Sequence, residues 1–215
     1  MPVRFVGSQR ETAEEGRVEA RIDLASLAGR PHLCAVGPLA ALRGEVTVLD
    51  GRASIARVVD GRIAVDDRLE GGAAFLVWAE VPAWRTVPIP AHVRTKRDLE
   101  AFLPEAAHAA GLDPAAAFPF VVTGRAAEVR LHVLDRKGDG PHDLRRHEAC
   151  KARFTFEQVD LELVGFHSVS HQGVFTPPGG TTHMHARTPD NRVSGHLDGV
   201  RLVAGARLGL PSLER

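Results

Sequence analysis

Three histidines define the chemistry to look for. Residues 181–185 read Thr-Thr-His-Met-His, and residues 194–196 read Ser-Gly-His. A His-x-His pair puts both imidazoles on one face only if the segment is a β-strand, where side chains alternate with period two. On a helix the same spacing would separate them by about 200°. Between the pair and His196 lies Thr188-Pro189-Asp190-Asn191, a type I turn signal with proline at its second position. A hairpin centred on Pro189 and Asp190 sets His183 opposite His196 and His185 opposite Ser194, with all three imidazoles on one face. Three neutral imidazoles with one coordination position left open make a catalytic zinc site or a related divalent-metal site. Singly, each histidine would be an ordinary surface residue in a polar loop. The convergence of three across a turn is what favours metal.

Such a site needs an acid or base beside it. Glu45 is the carboxylate that stands out, inside a short strand between Gly44 and an Asp-Gly turn. Asp198 follows the third histidine and is placed to orient a ligand imidazole through its distal nitrogen. His167 and His171 lie in the loop that feeds the hairpin, as outer-sphere groups or a substitute fourth ligand. The sequence contains no nucleophile elbow, phosphate loop or dinucleotide fingerprint. A cupin oxygenase or isomerase is the weaker reading of the His-x-His pair, because the expected glutamate is missing from residues 187–190 and the third histidine returns too soon.

The surrounding elements must hold these groups. The chain has 215 residues, 44% hydrophobic and 25% charged, enough to bury a sizeable core. Lys+Arg and Asp+Glu both number 27, so no net field draws the chain to nucleic acid or to an anionic membrane. Cys34 and Cys150 form no metal or disulfide framework. Without a leader-like or membrane-spanning apolar run, the expectation is a cytoplasmic protein. Residues 1–20 read as a polar tail with at most a frayed helix over 9–17. Residues 21–120 read as a β-meander plus helix: a short helix at 22–29, strands at 33–37, 44–51, 52–59, 62–65 and 73–81, two Asp-Gly hairpin turns, a Pro-rich connection at 82–90, and a helix at 95–111 capped near Thr95. Residues 121–215 read as a β-rich metal-binding half, with strands at 118–123, 127–134 and 152–166, a loop at 135–146, the histidine hairpin, and a last strand at 199–205. Alternation changes phase near Gln158, which suggests a bulge or turn. The fold class is α/β of the α+β type: two β-rich halves with mixed or antiparallel sheets or a partial barrel, a few short helices, and one compact unit.

The order of these segments resembles the alpha-acetolactate decarboxylase family. The resemblance rests on residues 43–51 (Arg-Gly-Glu-Val-Thr-Val-Leu-Asp-Gly), Val164-Gly165-Phe166, His183-Met184-His185, and Ser194-Gly195-His196-Leu197-Asp198, and it covers about residues 16–203. It implies a zinc ion on His183, His185 and His196, Glu45 as the catalytic carboxylate, a homodimer, and conversion of a small 2-hydroxy-3-keto acid, acetolactate, to acetoin and carbon dioxide. Where the family has an arginine suited to the substrate carboxylate, this chain has His132. Arg130 lies two residues away on the same strand face. The family also folds a C-terminal tail with a second glutamate over the site, a place that His132 and Glu214 would have to take here. These departures keep a second class open: a metal-site protein that binds a small chelating ligand without turning it over.

Overall fold

A computed structural model describes residues 2–213; Glu214 lies outside the described residues. The two Asp-Gly dipeptides do what their chemistry requires. Asp50 and Gly51, and Asp60 and Gly61, all have positive φ (49°, 75°, 50° and 72°), the backbone of a type I′ turn whose twist matches its strands. They join β4 (Glu45–Leu49), β5 (Arg52–Val59) and β6 (Arg62–Asp66). With β1 (Arg4–Val6), β3 (Leu33–Pro38) and β8 (Leu76–Glu80), these strands form an antiparallel sheet in the order β1-β8-β3-β4-β5-β6. A separate two-stranded ribbon pairs β2 (Ile22–Asp23) with β7 (Gly72–Ala73).

The second sheet runs β11-β12-β13-β10-β14-β9, from β9 (Trp84–Pro88), β10 (Phe118–Leu134), β11 (Lys151–His167), β12 (Thr182–Arg187), β13 (Ser194–Leu202) and β14 (Arg207–Pro211). Because β10 also pairs with β11, four strands close on themselves. The partial barrel is therefore a closed circuit of β10, β11, β12 and β13, with antiparallel pairing throughout. Its interior holds Phe120, Val122, Leu131, Leu163, Met184, Ala186 and Leu197. The helix α2 (Lys96–Ala109) adds Leu99, Leu103 and Ala107 to the same cluster. It starts with a reciprocal capping box between Thr95 and Asp98. The outer face of the barrel meets the first sheet across Cys34, Val36, Leu49, Val77, Val121, Val164 and Phe166.

Several expectations are corrected. Residues 1–20 are not a tail: β1 pairs with β8, and α1 (Gln9–Ala13) is held to a later loop by Gln9 N–H to Val174 O (2.8 Å) and Arg10 N–H to Gly173 O (3.0 Å). Residues 22–29 form a short strand and one 3-10 turn, not an α-helix. The chain passes to the second sheet at β9, well before residue 120, because Trp84–Pro88 pairs with β14. Both of those strands lie in segments read as connection or chain end. The supposed break between residues 123 and 127 is absent, since β10 is continuous. At Gln158 the φ is 50°, while β10–β11 pairing keeps one register on both sides, so the phase change is a local turn of the backbone without a bulge between these two strands. The loop at 135–146 runs into a short helix, α3 (Leu144–Ala149).

Candidate metal centre and active-site cavity

The hairpin forms, with its register displaced by two residues. His185 faces His196, and Arg187 faces Ser194. The cause is the turn: Asn191 takes a left-handed φ of 59°, and Thr188 N–H bonds Val193 O (3.0 Å). The Asn191 side chain reaches the Ala53 carbonyl (3.2 Å) and Ser54, which pins the turn to the first sheet. A slip of two preserves strand parity. Met184, Ala186 and Leu197 therefore point into the barrel, and His183, His185 and His196 point out of it toward the first sheet.

One ligand nitrogen from each of these three imidazoles lies within 4.8 Å of the others. His183 Nε2 is 3.2 Å from His196 Nδ1. Thr47, next but one to Glu45 on β4 and so on the same face, meets His185 Nδ1 at 2.9 Å and accepts from Ser194 Oγ (3.0 Å). With Nδ1–H donating to Thr47, His185 Nε2 keeps its lone pair. That atom is buried with no hydrogen-bond partner, 3.7 Å from Glu45 Oε2. A buried nitrogen left unpaired beside two more imidazoles is the pattern of a ligand set. Burial pushes the His183 imidazole down to about 3, helped by the charges of Lys96 and His132. His185 and His196 are lowered in the same way by burial. All three are neutral near pH 7, the form a metal requires. The donor set fits a borderline-soft divalent ion.

Glu45 is 2% exposed, and burial raises its carboxyl well above the usual range, against a backbone hydrogen bond from Leu134 and the charge of Lys151. His132 faces His196 on the neighbouring strand, with ring centroids 4.6 Å apart. The register of β10 against β13 shifts between Arg130 and Leu131, where Asp198 is the extra residue. This bulge turns Asp198 onto His132 Nδ1 at 2.7 Å, a common use of bulges near sites. Asp198 was expected to orient one of the three ligand histidines and instead orients His132.

Arg130 does not join them. Beyond the bulge the strand leaves the cover of the first sheet. The Arg130 side chain is 63% exposed, over Gly199 and 3.5 Å from Glu128. His167 stacks on Phe118 with centroids 4.8 Å apart. His171 stacks on Phe175 (4.6 Å) and bonds Ser168 Oγ (2.8 Å). Neither belongs to the metal cluster.

A cavity of about 330 Å³ opens over the cluster. Glu45, His132, His183 and His196 line it, with Phe75, Pro38 and Leu134 as apolar wall. His185 sits just behind. Its rim includes Gln9, Arg10 and Thr12 of the first helix, Pro177 and Pro178, and Leu144, His147 and Lys151. The rim residues were not found from sequence. For Thr47 a signal existed, since it shares the strand face of Glu45. For His147 and Lys151 there was none, because they lie in or beside a six-residue helix without readable periodicity.

The family model for alpha-acetolactate decarboxylase matches residues 15–212. The chain belongs to that family. Among solved structures, an alpha-acetolactate decarboxylase from Bacillus subtilis strain 168 is 13% identical, with a TM-score of 0.75 over 97% of this chain and 85% of that one. The acetolactate decarboxylase of B. subtilis subspecies spizizenii is 14% identical, with a TM-score of 0.78 over 99% and 86%. A Staphylococcus aureus protein of unknown function, similar to alpha-acetolactate decarboxylase, is also 14% identical, with a TM-score of 0.79 over 99% and 86%. At these identities the structures establish a shared fold. No curated protein matches the sequence. Family and fold are thus those of a decarboxylase, with a histidine cluster able to hold a metal. No helix among the described residues is long and apolar enough to cross a membrane.

Proposed function

We propose that this chain is a metal-dependent carbon–carbon lyase that decarboxylates a 2-hydroxy-3-keto acid of the acetolactate type, giving acetoin and carbon dioxide. The observation that carries the reading is the approach of Glu45 Oε2 to the unpaired His185 Nε2, 3.7 Å apart at the base of the cavity. His183, His185 and His196 would hold the ion. Zinc fits three neutral imidazoles, and copper, nickel and iron share the same donor preference. When bound, it supplies a Lewis acid within reach of a chelating hydroxyl and carbonyl pair.

The remaining work falls to side chains. Loss of carbon dioxide leaves an electron pair on carbon that must take up one proton. Glu45, whose carboxyl burial shifts toward the protonated form, is the group positioned to deliver it. His132, fixed at Nδ1 by Asp198, presents its other nitrogen as a hydrogen-bonding group for the substrate oxygens. Lys151, ion-paired with Glu148 at 2.7 Å, lines the cavity and would exchange that partner for the substrate carboxylate, in place of the outward-facing Arg130. Expulsion of water by Phe75 and the prolines strengthens each of these interactions. The reading extends to a homodimer, which sedimentation measures.

Metal-loaded protein incubated with racemic acetolactate should release acetoin well above the uncatalysed background. Stoichiometric metal with no acetoin would overturn the reading. It would favour the second one, a protein that binds a small chelating ligand without turnover, for which the exposed position of Arg130 is the supporting observation.

A further inference from the structure

On the far side of α3 from the active-site cavity lies a second cleft of about 330 Å³. Arg136 and Arg146 both line it, and neither guanidinium has a carboxylate partner among the described residues. Arg136 is only 9% exposed, and its side chain bonds just the Gly140 carbonyl. The Arg146 guanidinium bonds the Pro141 carbonyl, while Asp143 is engaged with the Arg146 backbone N–H (2.8 Å). The acid that lines the cleft, Asp135, is neutralised by Lys137 at 2.7 Å. His142 Nδ1, also buried there, has no partner. A buried guanidinium without a counter-charge is strongly unfavourable unless something compensates it. The buried Arg136 guanidinium, the exposed Arg146 guanidinium at the cleft mouth and an unpaired imidazole nitrogen together form a receptor for an oxyanion.

The wall between the two cavities is one helix. Leu144 and His147, three residues apart on α3, face the active-site cavity, and Arg146, Ala149 and Cys150 face the cleft. His142 Nε2 and His147 Nδ1 lie 3.3 Å apart across that wall.

We propose that this cleft is a binding site for a small oxyanion, a phosphate group or a carboxylate, and that its occupancy orders α3 and so the wall of the active-site cavity. The binding claim stands whether or not the chain decarboxylates acetolactate.

The test is calorimetric titration of the full chain with inorganic phosphate and, separately, with citrate, at ionic strength matched with chloride. Hydrogen exchange is then followed over residues 144–149. Saturable binding of one anion per chain is expected. Arg146→Gln should weaken it about tenfold, the effect of one charge-assisted hydrogen bond, with unchanged metal content, and exchange over residues 144–149 should slow on binding. Phosphate binding without citrate identifies a phosphate site, and the reverse a carboxylate site. Heat no different from chloride, or an Arg146→Gln variant that binds as well as the parent, would overturn the proposal. If Arg136→Gln fails to fold, Arg146→Gln still decides it. Saturable binding with unchanged exchange would overturn the link to α3.

Discussion

His185 and His167 lie on neighbouring strands of one barrel, and both are fully buried. They differ in what their rings face. His167 stacks flat on Phe118, an aromatic filling a gap at the barrel end. His185 has one nitrogen fixed by Thr47 and the other unpaired, aimed at His183, His196 and Glu45. Burial of a histidine therefore does not define a site. Convergence of lone pairs on one point does. The strand direction decides which occurs, since residues 183 and 185 leave the barrel toward a polar strand face while 167 turns to a phenylalanine.

The sharpest way to break this contrast is to remove the convergent rings. The His183→Ala, His185→Ala double variant should fall from about one metal per chain to near none, whereas His167→Phe should keep full occupancy; elemental analysis after dialysis reads both. Equal loss in the two would erase the distinction. The next effect is on chemistry. Glu45→Gln should lower acetoin formation by on the order of 10²–10⁴ while metal content stays intact, as expected for a lost proton donor. Loss of metal along with activity would make Glu45 a ligand instead.

The contrast itself was only partly legible in the sequence. Alternation and the Pro189 turn signal were enough to put three imidazoles on one face, because an error of two residues in register leaves the face unchanged. The register was not legible, since it depends on Asn191 bonding Ala53, far away in sequence. Parity also placed Arg130 with His132. It failed there because Asp198 bulges between their partners and the strand emerges from under the first sheet. Strands β9 and β14 are stabilised mainly by each other and by β10, so neither local run announces itself. The N-terminal residues look like a tail for a similar reason: their partners, Leu76–Trp78 and the loop at 173–174, are distant.

Smaller effects sharpen the picture around His132. Asp198→Asn should reduce activity by about 10–100-fold through loss of ring orientation, with metal content little changed. His132→Asn with an Asp198→Asn background should add little further, since the two act as one unit. An effect that multiplies would mean that they act separately.

The smallest effect is in stability against pH. His147 is pushed down to about 4, chiefly by burial and then by the charge of Lys151. The unfolded chain, titrating near the ordinary value of about 6.5, takes up that proton before the folded chain does. Its contribution is therefore complete above about 6.5 and is lost as the pH falls through about 4. His147→Gln should flatten the decline in Tm of the metal-free protein between those values. An unchanged profile would remove His147 from the set of buried neutral imidazoles.

The central claim is that three imidazoles from one hairpin form the metal centre. X-ray absorption at the metal edge, on protein carrying one zinc per chain, tests it most directly. The account predicts three imidazole nitrogens at about 2.0–2.1 Å with a light-atom ligand completing the shell, and collapse of the imidazole scattering in the His183→Ala, His185→Ala variant. A spectrum with one imidazole or none, or a three-imidazole spectrum that survives in that variant, would contradict it.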